Sequence, residues 1–358
     1  MKKFLSLVAV FCFVVVLAAC TAGEHTETQG LVITDLAGDT IALPTKIQKV
    51  VSTSDPCTDM LIAFGQGDKL IGAYFRALDN PWFKEFYPNA DKLTRFESYE
   101  PEAEYLIALG TDIIFVPSQE RAQSLREKGV CAITIRFYNP EEMVKSAELL
   151  GQIFGTDAKK KADLWINDFN TVKKLAAEKA PDVGEDAKPV AYEILADKGR
   201  GPFRTYYGDN QAWLSYAGGI LATKDFANAT SNEMPTEEAV LATNPSIIFI
   251  GGTYATKEYA DLLENEKWQG VDAVKSGEIY IEPTGATAWN SCSTTYPLLV
   301  YYCFSKMYPE KADFDLKAIT HDFYLKYYGI NFSDESIDLM MRSKAPDGDD
   351  LWKGLVSK

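Results

Sequence analysis

Hydrophobic and polar positions along the chain fall into blocks whose period changes in a regular way. Phe4 to Val16 is an apolar run, broken only by Ser6, behind Met1-Lys2-Lys3, and a polar stretch follows from Thr21 to Gly30. Beyond it, Leu31-Val32-Ile33-Thr34 and Thr40-Ile41-Ala42-Leu43 flank Ala37-Gly38-Asp39, which reads as a turn between two strands. Lys49-Val50-Val51-Ser52 and Ile71-Gly72-Ala73-Tyr74 are short buried-strand runs on either side of a helical pattern from Thr58 to Phe64. Strand-like and helical blocks then alternate, which predicts parallel sheets covered by helices.

One block occurs twice. Glu104-Tyr105-Leu106-Ile107-Ala108-Leu109-Gly110-Thr111-Asp112-Ile113-Ile114-Phe115 lies in register on Glu238-Ala239-Val240-Leu241-Ala242-Thr243-Asn244-Pro245-Ser246-Ile247-Ile248-Phe249. Each opens with an acid on a short helix, breaks, and ends in an Ile-Ile-Phe strand. One copy in each half of the chain predicts two lobes of similar design. Between them, Leu149-Leu150, Phe154, Leu164-Trp165, Phe169, Val172 and Leu175-Ala176 recur at helical spacing, with Gly151, Gly155 and Asp157 marking a break and a restart. Residues 157–180 are expected to form one helix of about 35 Å at 1.5 Å per residue. The Gly, Asp and Pro-rich stretch from Pro181 to Pro189 is the expected boundary loop.

The leading block is an address. Met1-Lys2-Lys3 and the short apolar run have the form of a signal peptide over residues 1–19, too short for a comfortable membrane span. Leu17-Ala18-Ala19-Cys20 resembles the bacterial lipobox, which implies that Cys20 is lipidated and anchors the protein to the cell membrane. Residues 20–30 then form the anchor and its tether. Charge narrows the partners. Among 358 residues, 36 Lys and Arg face 51 Asp and Glu, a formal charge of −15, which opposes nucleic-acid binding. His25 and His321 are the only histidines, so a histidine-built metal site is not expected. Cys57, Cys131, Cys292 and Cys303 have no CxxC spacing, and the sequence leaves their disulfide state open.

In this order the segments resemble the substrate-binding lipoproteins of ABC importers, in the class that delivers iron–siderophore complexes, haem and corrinoids. The hairpin from Ile33 to Pro44 leading to Val50-Val51 is similar to that family's opening. Glu104 to Phe115 resembles its first-lobe helix and strand, with Thr111 in place of the expected Pro. Ala217-Gly218-Gly219 to Phe249 resembles the second-lobe counterpart, in which Asn244-Pro245 match and Ser246 replaces Asp. Trp289 through Tyr296-Pro297-Leu298 to Tyr308-Pro309-Glu310 is like its closing helix. The resemblance implies two Rossmann-like α/β lobes joined by one long rigid helix. The N-terminal lobe would span 31–140, the helical spine 141–181 and the C-terminal lobe 182–358. It also implies a binding protein without catalysis or intrinsic cofactor, which hands a metal chelate to a permease dimer and its ATPase subunits. Ferric siderophore is the first choice of ligand; haem, corrinoid and a small nickel or cobalt chelate are the alternatives.

Ligands in open α/β sheets sit beyond the carboxyl ends of the strands. Applied here, that rule and the pairing of arginine with aromatics select Tyr74, Arg76, Trp82, Arg136 and Tyr138 from the first half. From the second they select Tyr192, Arg204, Tyr207, Tyr254 and Trp289. Guanidinium forks suit carboxylate, catecholate and hydroxamate oxygens, and aromatic faces suit an organic shell. By resemblance, Glu104 and Glu238 are the lobe-top carboxylates that dock to the permease. The competing class is a surface-anchored α/β hydrolase. Against it, the chain has no Gly-x-Ser-x-Gly elbow, and His321 has no evident nucleophile partner.

Overall fold

The computed structural model describes residues 30–196, 203–205, 211–224, 226 and 236–353. The signal peptide and Cys20 fall outside them. A hairpin of β1 (Val32–Thr34) and β2 (Thr40–Ala42) leads into the first lobe. There β3 (Val50–Ser52), β4 (Leu70–Tyr74), β5 (Thr94–Phe96), β6 (Ile113–Val116) and β7 (Ala132–Thr134) form a parallel sheet in the order β5-β4-β3-β6-β7. The second lobe holds β8 (Val190–Leu195), β9 (Ile220–Leu221), β10 (Ile247–Gly251) and β11 (Ile279–Ile281), parallel in the order β11-β10-β8-β9. Central strands such as Ile113–Val116 and Ile247–Gly251 are buried at every position. Continuous apolar runs of this kind are what a sheet covered on both faces requires.

The duplicated block forms the same unit twice. Helix Ala103–Leu109 feeds β6 and helix Glu237–Thr243 feeds β10. Gly110 (φ 70°) and Asn244 (φ 43°) end the two helices in the left-handed conformation at matching positions. Two residues on, Asp112 Oδ2 accepts the Gln48 and Lys49 amides at 2.7 and 2.8 Å. At the corresponding place Ser246 Oγ accepts the Val190 amide at 3.0 Å. The replacement of Asp by Ser therefore keeps the acceptor that fastens the preceding strand, with a neutral oxygen.

The linking segment differs in one respect from the sequence expectation. Helix Pro140–Phe154 ends at Gly155 (φ 81°), and the helix that follows is Thr156–Val172, about 25 Å long. A separate turn of helix, Leu175–Lys179, replaces the expected continuation to residue 180. Thr171 and Val172 are β-branched, and the Thr171 hydroxyl donates back to the Asn167 carbonyl at 2.9 Å, a contact that bends helices. Close packing of the two long helices depends on Gly151, where a Cβ would stand 3.0 Å from Lys159 Cα.

The lobes share one apolar core. Val50 and Phe115 of the first sheet, Trp165 and Phe169 of the linking helix, Phe249 of the second sheet and Phe304 of helix Tyr296–Met307 belong to a single buried cluster. Between the sheets runs the irregular segment 283–295, most of it buried. Its polar backbone is bonded by side chains of the first lobe and of the linking helix. Asn80 Nδ2 donates to the Gly285 and Ala286 carbonyls at 3.0 and 2.8 Å, and Trp165 Nε1 donates to the Thr294 carbonyl at 2.8 Å. Asp59 Oδ2 accepts the Thr294 amide at 3.0 Å while its other oxygen accepts the Tyr328 hydroxyl at 2.7 Å. Burial pushes the Asp59 carboxyl above the usual range against the pull of these donors. Asp59→Ala strands two buried donors and should lower the stability by about 2 to 3 kcal/mol, read from urea unfolding.

Candidate functional site

The carboxyl ends of the first sheet carry an aromatic and cationic rim. Tyr74 ends β4 and its ring stacks on Tyr99, beyond β5, with centroids 3.8 Å apart. Burial raises the Tyr99 phenol, with its Tyr74 partner adding to the rise and the Arg76 charge opposing it. Arg76 lies exposed on the short helix Phe75–Asp79. Past β7, Arg136 is half-buried: its carbonyl accepts the Ser146 hydroxyl at 2.6 Å, and its guanidinium has no ion-pair partner among the described residues. Tyr138 is 55% exposed two residues on. The structure thus brings Arg76, Arg136 and Tyr138 to one edge of one sheet, together with Tyr74, whose own side chain is buried at 5% exposure. Tyr99, which the sequence reading missed, belongs with them; its only signal is a place after a strand of three residues.

The second lobe is arranged differently. Glu193 of β8, Gly251 of β10 and Glu282 just past β11 share the face that packs on helix Tyr296–Met307. Glu193 is fully buried and accepts the Gln211 amide at 2.8 Å and the Asn290 amide at 2.8 Å; Gln211 also donates to Thr205. Glu282 is buried too, and neither of its oxygens has a hydrogen-bond partner of normal geometry. Gly251 makes the room, since a Cβ there would overlap Asn290 Nδ2 and Glu282 Oε2. Glu282 and Gln211 escaped the sequence reading because β11 is only three residues long and Gln211 precedes a helix of five.

Several expected cleft residues are core residues instead. Trp82 is 1% exposed, donates its indole N–H to the Lys344 carbonyl at 2.6 Å and packs edge-on to Phe332. Trp289 is fully buried and its indole N–H donates to the Tyr324 hydroxyl at 3.1 Å. Tyr192 points to the opposite face of the second sheet, where its hydroxyl donates to the Phe203 carbonyl. In each case a large ring with one polar atom gains more from apolar burial and one internal bond than from a place in a wet cleft. Arg204 is half-buried, and its charge helps hold the Glu237 carboxyl below its ordinary range, after the larger effect of Lys267. Tyr254 precedes helix Ala255–Glu264 and stacks on Trp352 with centroids 6.5 Å apart. Tyr207 lies outside the described residues.

Glu104 and Glu238 are both exposed and both occupy the second position of their helices, Ala103–Leu109 and Glu237–Thr243. Thr236 caps the latter by accepting the Ala239 amide at 3.2 Å. The cysteines Cys57, Cys131, Cys292 and Cys303 are all free thiols, and burial pushes Cys57 and Cys292 up to about 12. Among the described residues no group of three or more His, Cys, Asp or Glu is placed to hold a metal ion. No helix among them is long and apolar enough to cross a membrane. Two open surface depressions, one against Phe64, Lys69 and Phe154 and one against Leu31, Leu43 and Ile153, include none of the strand-end residues.

Comparison with known proteins places this geometry in context. A family model described as periplasmic binding protein matches residues 50–284. A curated relative from Bacillus subtilis, the uncharacterized ABC transporter substrate-binding lipoprotein YvrC, is 23% identical over 72% of this chain and 80% of its own. The molybdate-binding protein MolA of Haemophilus influenzae is 21% identical over 85% of this chain and 93% of its own. Its molybdate-bound structure superposes with a TM-score of 0.72, covering 85% of this chain and 99% of that one, at 18% identity. A periplasmic solute binding protein from Veillonella parvula superposes with a TM-score of 0.72 at 21% identity, covering 88% and 98% of the two chains.

Gly251→Ala should lower stability by about 2 kcal/mol or more, because the added methyl displaces Asn290 and Glu282 in a closed interior. Urea unfolding of the variant beside the natural protein checks this.

Proposed function

This chain belongs to the periplasmic binding protein family, the substrate-binding components of ABC import systems, and from that premise we propose that it captures an anionic metal chelate, ferric siderophore first. The observation that carries the reading is the width of the rim on the first sheet. Tyr74 ends β4 and Arg76 follows it, while Arg136 and Tyr138 follow β7, three strand spacings away in the order β4-β3-β6-β7. At about 4.8 Å per spacing the two groups stand about 14 Å apart, the breadth of an organic chelate. Arg136 stands beside the exposed Tyr138 and Arg76 near Tyr99, which covers the buried Tyr74, and a guanidinium with an aromatic face matches anionic oxygens on an organic shell. Haem, a corrinoid or a small nickel or cobalt chelate would use the same rim. A second reading is a bare metal oxyanion, favoured by the similarity to a molybdate-binding protein; it would need one arginine rather than the whole rim.

The same proposal places the protein outside the cytoplasm, held to the membrane through Cys20, with ligand delivered to a permease dimer. The N-terminal lobe (31–140), the linking helices (141–181) and the C-terminal lobe (182–358) are the working units of that reading. Glu104 and Glu238, exposed at equivalent places on the two duplicated units, are the docking carboxylates. Complementary charge at two equivalent points would orient the protein on a two-fold permease. The pairing of His321 lends an enzyme reading no support: its half-buried imidazole faces the exposed Asp334 carboxylate at 3.0 Å.

Tryptophan fluorescence of the protein lacking residues 1–20 tests the ligand. The panel holds ferric hydroxamates and catecholates, haemin, cobinamide, nickel and cobalt with and without histidine, and molybdate. Saturable quenching by one chelate class is expected. Quenching by molybdate alone would favour the oxyanion reading, and silence across the panel with a folded protein would sink the proposal. Arg136→Ala should weaken the bound anion about tenfold or more, the loss of one charge-assisted contact, with Arg204→Ala weaker in effect. Unchanged affinity in both would remove the arginines from the site. Glu104→Lys with Glu238→Lys should abolish uptake in cells while leaving chelate affinity unchanged; normal uptake would dismiss the docking role.

A further inference from the structure

The buried carboxyl groups of Glu193 and Glu282 play no part in the rim described above, and their surroundings differ. Glu193 has two N–H donors on it, one on each oxygen. Glu282 has none of normal geometry, and the neighbouring Trp213 indole nitrogen is likewise without a bond of normal geometry. Glu193 and Glu282 lie on the same face from the strands on either side of β10, and the bare Cα of Gly251 leaves room for both the Glu282 carboxyl and the Asn290 amide that donates to Glu193. Asn290, which bonds Glu193, belongs to the segment 283–295 that carries the contacts between the lobes.

Two negative charges side by side in a dry interior are costly, and a pair in unequal environments resolves the cost by splitting its protonation. We propose that Glu193 and Glu282 form an acid pair holding one proton in the folded protein, with Glu193 as the carboxylate and Glu282 as the neutral acid, and that this proton keeps the segment 283–295 seated over β10. Burial raises the Glu282 carboxyl well above its ordinary value and the neighbouring Glu193 charge adds to the rise, with Trp213 opposing. Among the described residues, the other titratable groups facing the pair are thiols and phenols. Cys292 comes from the segment itself and Cys303 and Tyr302 from helix Tyr296–Met307, all raised by burial. Lys306 of that helix lies over the rings of Tyr280 and Tyr302, at 5.1 and 5.3 Å from their centroids. The inference does not depend on the ligand.

The sign follows from where the proton sits. An acid raised on folding binds more proton folded than unfolded, so its stabilisation is complete below the ordinary glutamate value. It is lost as pH rises through the folded one. Urea midpoints of the purified protein should therefore fall between pH 5 and pH 8. Glu282→Gln keeps the shape and removes the charge, so its midpoint should change far less over that range. At pH 8 it should unfold less readily than the natural protein, by about tenfold for each unit by which the carboxyl is raised. Should the variant not fold, the natural protein still decides: unfolding it at pH 6.5 in weak buffer with an indicator should release about one proton that the ordinary groups do not explain. A Glu282→Gln midpoint as pH-dependent as that of the natural protein, or no proton release, would overturn the proposal. So would calcium chloride that raises the natural midpoint at pH 8 and leaves the variant unmoved, since the pair would then hold a cation.

Discussion

An irregular stretch of backbone buried between two sheets has no ladder to satisfy its polar groups, and in this protein side chains supply several of the partners. Segment 283–295 is that stretch, and it receives bonds from Asn80 and Asp59 of the first lobe, Trp165 of the linking helix and Glu193 of the second. Inside it, the hydroxyls of Thr287, Ser293 and Thr295 form a chain of their own at 2.7 and 3.2 Å. An unbonded buried amide or carbonyl costs about as much as the whole net gain of several bonds made elsewhere. The lobes therefore hold one relation to each other as long as this segment stays seated. A shared apolar core, running from Phe115 through Trp165 to Phe249 and Phe304, reinforces the same relation.

That constraint sorts the chain's aromatic residues into two kinds. Trp82, Trp289 and Tyr192 are drawn inward, each with its polar atom spent on an internal bond, and they brace the junction and the second sheet. Tyr99 and Tyr138 stay exposed at the edge of the first sheet with Arg76 and the half-buried Arg136, while Tyr74 beneath Tyr99 is buried. A stiff floor with a polar, aromatic rim suits capture with little closure. In the proposed reading, specificity would come from the spacing of groups already in place, and rigidity would lower the ordering cost of binding.

Much of the fold was legible because parallel strands write themselves as uninterrupted apolar runs. Ile113-Ile114-Phe115 and Ile247-Ile248-Phe249 announced the two central strands, and the shared register placed Gly110 opposite Asn244 before their left-handed conformation was visible. Where the reading overran, local chemistry explains it: Thr171 and Val172 end a helix whose apolar spacing continues past them. The proposed site residues of the first sheet were legible as positions, because the strand ends there are marked by Tyr74 and by Arg136. It was poorly legible on the second. Strands of two and three residues leave little periodic signal, so Glu282 at the end of β11 gave no sign of its partner 89 positions earlier in β8. Nor does apolar periodicity say whether a tryptophan faces a cleft or a core.

Hydrogen exchange of the backbone amides tests the seating of segment 283–295 most directly. The amides of Thr284, Trp289 and Thr294 donate to Met340, Pro283 and Asp59 in a buried setting. They should exchange nearly as slowly as those of β6 and β10, by opening with most of the molecule. Exchange within seconds, at the pace of an exposed loop, would mean that the segment is not the constraint that holds the lobes in register.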